Sequence, residues 1–298
     1  MTQRPGVRRT PAARPSGRRP VAARPRRRTP TVRRASAGLT PVRAGAILAV
    51  LVSGAAVYGM ANSTAFDYAR LRLEGATFTA TSDVEAALEG VRGANLFQLR
   101  TGPLATAIAD LQTVRAASVR VALPDTLVVR IDEREPILVW RVGAREYLVD
   151  DEGQLFALLG EDPPPGVDDL PVIEDRRAAS AGLSVGRSVA ASDLDAATRL
   201  ASLVPADVGS AAAGLDVVVS DVNGFSIASR PADWYAVFGY YTPSLRTTEL
   251  IPGQVRLLRS LLLGREGLIE RIVLASETDG TYVPKPTPSP VANPSPAP

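Results

Sequence analysis

The chain has 298 residues with no cysteine and no histidine. That composition excludes disulfides, cysteine nucleophiles, Ser-His-Asp triads and zinc sets built on His and Cys; it leaves carboxylates, hydroxyls, arginines and the single lysine, Lys285. The net charge of +3 conceals an asymmetry: 13 of the 34 basic residues are arginines within residues 1–44, so the other 21 face 31 acidic residues, and residues 45–298 carry a net charge of −10, which argues against a nucleic-acid-binding fold.

Residues 1–43 are mainly Arg, Pro, Ala and Thr, too poor in apolar side chains to offset the entropy of ordering, and are expected to be a disordered cytoplasmic tail. Ala44–Phe66 holds 23 residues without a charge. At about 1.5 Å per residue such a helix crosses a hydrocarbon core of about 30 Å, which predicts a transmembrane helix over 44–66. A cleavable signal peptide is the rival reading, but its charged n-region is normally short and its apolar region only about 7–15 residues. The arginines before the span place the N-terminus in the cytoplasm and everything after Phe66 outside it. Their plainest role is topology, with no specific nucleic acid expected as a partner.

Residues 67–135 alternate compactly. Ala69–Leu73 alternates polar and apolar and ends at Glu74-Gly75, a strand and a turn. Ser82 is placed to cap a helix, with Glu85 three residues on and Val84, Ala87, Leu88 and Val91 at helical spacing; Gly93 closes it. Pro103 opens a second helix with Leu104, Ile108 and Leu111 on one face. Val114–Leu123 and Thr126–Asp132 read as two strands joined at Pro124-Asp125. The order β-α-α-β-β predicts two helices on one face of a three-stranded sheet.

Residues 136–283 read as a β-rich domain, so the fold class is α+β. Its predicted strands are Ile137–Trp140, Glu146–Val149, Gln154–Leu158, Leu215–Ser220, Phe225–Ser229, Trp234–Tyr241 and Leu268–Ser276, the last continued by Thr281–Val283; a loop rich in Pro, Gly and Asp at Glu161–Asp169 leads to Leu170–Ile173. Asn223-Gly224 is a strong hairpin signal. Asp193–Val204 and Pro252–Leu263 are the predicted helices. Residues 284–298 contain seven prolines in 15 and predict a polyproline II tail, a spacer or an overhang.

Several segments carry a family resemblance. Arg72-Leu73-Glu74-Gly75 resembles a first strand ending in V-x-G, and Gly93-Ala94-Asn95-Leu96-Phe97 a G-x-N-L-F link between helices. Leu123-Pro124-Asp125-Thr126-Leu127, with Val129-Arg130-Ile131 and Glu133-Arg134-Glu135-Pro136, resembles P-x-T-L-x-V-x-V-x-E-R-x-P. Tyr147-Leu148-Val149-Asp150 with Gly153 resembles L-V-D-x-x-G, followed by Leu170-Pro171. In this order, after a single span, they resemble the FtsQ/DivIB cell-division proteins. Arg271-Ile272-Val273-Leu274-Ala275 lacks the Asp of the family's I-D-L-R-like closing run.

The resemblance implies a POTRA-type module at 67–135 and a non-enzymatic scaffold of the bacterial division machinery, single-pass in the plasma membrane at the septum. It also implies that the β-rich domain offers a strand edge to partners of the FtsB/FtsL type. It brings no cofactor, metal, catalytic residue or small-molecule substrate.

Glu133-Arg134-Glu135 reads as a charged strand end rather than an acid/base pair, and Asp150-Asp151-Glu152 as a hairpin turn rather than a calcium loop, whose twelve-residue spacing it lacks. Trp234, Tyr235, Tyr240 and Tyr241 cluster near one predicted strand, as core packing or as a partner anchor. Ile272 and Leu274, on the closing strand, are the candidate edge residues, with helix Pro252–Leu263 beside them. The alternative function is a membrane-anchored enzyme acting on the cell wall, which needs two carboxylates facing a cleft about 5–9.5 Å apart.

Overall fold

A computed structural model describes residues 40–160 and 162–286; the expected disorder of most of 1–43 and of 284–298 lies outside these residues. Helix α1 (Pro41–Ala61) has 21 residues and buries none of them. It is long and apolar enough to cross a membrane, at about 31 Å. It starts earlier and stops sooner than the predicted 44–66. The Asn62 side chain donates to the Tyr58 carbonyl, and Ser63 accepts from Ala65 N–H to start a 3-10 turn at Thr64–Phe66, so local polar bonds end the helix.

From Ala56 the described residues form one compact unit. Its first module runs β1 (Arg70–Glu74), α2 (Thr81–Ala87), α3 (Thr101–Ala109), β2 (Val114–Ala122) and β3 (Thr126–Glu133). The sheet order is β1-β3-β2, with β1 parallel and β2 antiparallel to β3. Strand alternation puts Leu71, Leu73, Leu127, Val129 and Ile131 on the face that packs against Val84 and Leu88 of the α2 region and Leu104 and Ile108 of α3. Gly75 is obligatory: its φ is +85°, and a Cβ there would lie 2.4 Å from the Ile131 carbonyl oxygen.

The expected Ser82 cap is not used. Ala80 occupies the N-cap without a side-chain bond. The reason lies one step upstream, where the Glu133 carboxylate accepts the N–H groups of Thr77, Phe78 and Thr79 at 2.7–3.0 Å and fixes the chain before the helix.

The second module has nine strands: β4 (Leu138–Val142), β5 (Arg145–Val149), β6 (Leu155–Leu158), β7 (Val172–Asp175), β8 (Gly214–Ser220), β9 (Gly224–Arg230), β10 (Tyr235–Gly239), β11 (Ile269–Leu274) and β12 (Gly280–Pro284). They form one mixed sheet, ordered β12-β11-β10-β9-β8-β7-β4-β5-β6. Helices α4 (Ala191–Ala201) and α5 (Ile251–Leu262) bury Ala197, Leu200, Leu258 and Leu262 in a core with Trp140, Phe225 and Phe238.

The Asn223-Gly224 signal marks a real hairpin, but Gly224 belongs to β9 and pairs with Ser220, so the loop has three residues. Gly224 is required for a second reason: a Cβ would meet the backbone of Gly239 at 2.4 Å, with φ at +62°.

Candidate partner-docking surfaces

The six residues singled out for docking separate in the structure. Trp234, Tyr241, Ile272 and Leu274 are core, each 4% exposed or less, and cannot meet a partner without unfolding. The Trp234 indole donates to Glu266 at 2.7 Å, and the Tyr241 hydroxyl to Gln254 Oε1 at 2.7 Å. Burial pushes the Tyr241 hydroxyl up from its ordinary pKa. Tyr235 is half-buried with the Arg271 guanidinium 5.7 Å from its ring centre, and Tyr240 is 44% exposed with its hydroxyl on the Ser220 carbonyl. A register shift explains the division: Gly239 pairs with both Gly224 and Phe225, so the alternation slips by one residue and Tyr241 turns inward.

The expected free edge at Leu268–Leu274 is also displaced. Strand β11 lies inside the sheet, between β10 and β12, so the outer strand at this end is β12. All five of its residues are exposed. Ala275 N–H bonds to the Asp279 carbonyl in the β11–β12 turn. By ladder alternation, Thr281 and Val283 then face β11 while the backbone groups of Gly280 and Tyr282 face outward.

At the opposite end of the sheet, Leu155 N–H donates to the Arg187 carbonyl and Gly186 N–H to the Leu155 carbonyl, both at 2.8 Å, so residues 186–187 cover the start of β6.

Two residues missed in the sequence hold the open end in register. β10 and β11 are parallel and share three register pairs. Gln254, fully buried, donates to the carbonyls of Phe238 and Leu274 at 3.2 and 3.0 Å. Arg246 donates to the same two carbonyls at 2.7 and 3.0 Å and to that of Ala275. The available signal was Gln254 itself, a polar residue on the face of α5 that carries Ile251, Leu258 and Leu262.

The charged motifs on either side of the module boundary meet. Arg134 bonds both Asp150, which is fully buried, and Glu152. Arg115 bonds Asp151, Gln154 donates to Gln112 at 2.9 Å, and Phe78 packs edge to face on Phe156 with ring centres 5.6 Å apart. The turn Asp150–Glu152 therefore serves as the joint between modules. Among the described residues no group of three or more side chains is arranged to hold a metal ion.

Comparisons with known proteins agree with the resemblance. Residues 66–134 match the model of the POTRA domain, FtsQ-type. The chain is 37% identical over 91 residues to the cell division protein FtsQ of Mycobacteroides abscessus, a stretch covering 30% of this chain and 29% of that protein. It is 26% identical over 161 residues to the FtsQ of Chloroflexus aurantiacus, covering 53% and 56%, and 23% over 97 residues to that of Rickettsia bellii, covering 33% and 36%. The matched stretches thus span between 29% and 56% of these relatives.

Proposed function

We propose that this chain, whose POTRA domain and relatives support membership of the FtsQ/DivIB family, is a bitopic membrane scaffold of the bacterial divisome. It sits in the plasma membrane with its N-terminus in the cytoplasm and binds other membrane division proteins, of the FtsB/FtsL type, outside it at the septum. It turns over no substrate. Its work is to hold partners together through differential binding.

The observation that carries the reading is the contrast between the sheet's two edges. β6 is four residues long, buried at Leu155 and Phe156 and bonded at Leu155 to residues 186–187, whereas β12 presents five exposed residues at the far end. A partner segment laid along β12 as an added strand gains backbone hydrogen bonds worth about 1 kcal/mol each. Half-exposed Tyr282 supplies aromatic contact area at that edge, with Tyr235 two strands in on β10 and Tyr240 just beyond it.

The test is capture of division proteins from detergent-solubilised membranes with the full chain as bait, beside Tyr282→Pro. Proline removes the outward-facing N–H of Tyr282 and leaves the bonds to β11 in place. Capture of small single-span division proteins, weakened about tenfold or more by Tyr282→Pro at unchanged thermal stability, is the expected result. Capture indifferent to the substitution moves the site away from β12. A bait that retains no division protein overturns the scaffold.

A further inference from the structure

The POTRA module has a second end that docking along β12 leaves unused. β1 and β3 run parallel and start at the same end, where Ala69 and Arg70 N–H both bond to the Asp125 carbonyl and Tyr68 N–H to that of Ala94. This end therefore gathers residues 62–70, the link 92–100 and the β2–β3 turn. Within it the Phe66 and Phe97 rings meet edge to face, with centres 5.1 Å apart. Phe97 is 53% exposed, and Leu123, in the turn, is 55% exposed. Across residues 67–135, these two are the large apolar side chains left this open, and such exposure is the observation that asks for an explanation.

The same end is bonded to the segment that leaves α1. Leu96 N–H donates to the Phe66 carbonyl at 2.9 Å, and Phe97 N–H to Asn95 Oδ1 at 3.0 Å. Asn95 Nδ2 donates to the Ser63 carbonyl, and Gln98 Nε2 to Asn62 Oδ1 at 3.2 Å, while Asn62 also holds the Tyr58 carbonyl of the last helical turn. Phe66 lies five positions beyond Ala61, a reach of at most about 18 Å even if extended. A helix about 31 Å long fills the hydrocarbon core, so its end lies at headgroup depth, where Tyr58 suits an interfacial belt.

We propose that Phe66, Phe97 and Leu123 form a lipid seat, resting this end of the module in the headgroup region of the bilayer that α1 crosses. The proposal rests on reading α1 as a membrane span. Phe and Leu suit the boundary between headgroups and acyl chains. The exposed Arg100 on the same link places its apolar stem along it and its charge at lipid phosphates. Arg70 is already engaged by Asp125 and Arg92 by Glu85, and neither takes part.

The test uses the full chain in vesicles of phosphatidylcholine and phosphatidylglycerol, with and without brominated acyl chains, carrying Phe97→Trp. Native Trp140 and Trp234 are buried, and the unsubstituted chain measures their contribution. The control is Leu245→Trp, at a residue 92% exposed in the second module. The indole introduced at 97 is expected to emit to the blue of the one at 245 and to lose about half its emission or more to bromine, as a ring about 5–10 Å into the boundary would. The indole at 245 is expected to lose none. Protein that floats with the vesicles, melts like the unsubstituted chain and shows no quenching at 97 overturns the seat. Protein that fails to float with them overturns the span, and the seat with it.

Discussion

The two ends of the POTRA module are built from similar materials and are finished differently. At the end facing the nine-stranded sheet, Phe78 is packed on Phe156 and the Arg134 guanidinium is shared between Asp150 and Glu152. At the other end Phe97 has one ring neighbour and stays half exposed, and Arg70 is paired with Asp125 in solvent. The first arrangement closes a joint. A module of some 65 residues buries only about 60% of its chain surface on its own and gains from being finished by a neighbour. The second leaves apolar surface uncovered, which is costly in water and favourable against lipid.

The largest test of this contrast is Arg134→Ala. It strands the Asp150 carboxylate, fully buried, without its cation, and is expected to cost about 3–5 kcal/mol in denaturant unfolding. A cost near zero would mean that water reaches the joint. Phe78→Ala comes next, at about 2–3 kcal/mol, reduced from the full-core value because the side chain is only partly buried. Phe97→Ala in detergent is expected to cost about 1 kcal/mol or less, the share of the Phe66–Phe97 pair. Equal losses at 78 and 97 would erase the distinction between the ends.

The smallest effect concerns acid. The Arg70 guanidinium, bonded to Asp125, holds that carboxyl below the usual carboxylate range. A group with a depressed folded-state pKa contributes stability above its unfolded value of about 3.9 and loses it as pH falls through the folded one. An NMR titration should therefore place the Asp125 midpoint below that value, and Arg70→Gln should return it.

The sheet of the POTRA module was legible because one of its faces is buried: VRVAL and TLVVRID alternate, and the structure pairs them as β2 and β3. Strand β12 was harder to read for the opposite reason. Its residues are exposed throughout and carry no in-out pattern, so Thr281–Val283 read as a continuation of the closing strand rather than as the outer strand of the sheet. The aromatic cluster misled because a single register slip at Gly239 changes which ring faces the core, and no local pattern announces it. The meeting of Arg134 with Asp150, and of Arg115 with Asp151, joins residues whose nearest neighbours read as ordinary charged turns; only the packing of two modules brings them together.

The order of strands also bears on how the chain is made. β10 and β11 are parallel neighbours joined through α5, and β11 carries β12 as a hairpin. During synthesis, the sheet from β4 to β10 can assemble while the last hairpin is still inside the ribosome. Until Ile269–Pro284 emerges, β10 is the outer strand and the residues of the proposed docking edge are not yet available. A nascent chain lacking this hairpin would therefore be unable to recruit along that edge, and emergence of the hairpin would be the step that arms it.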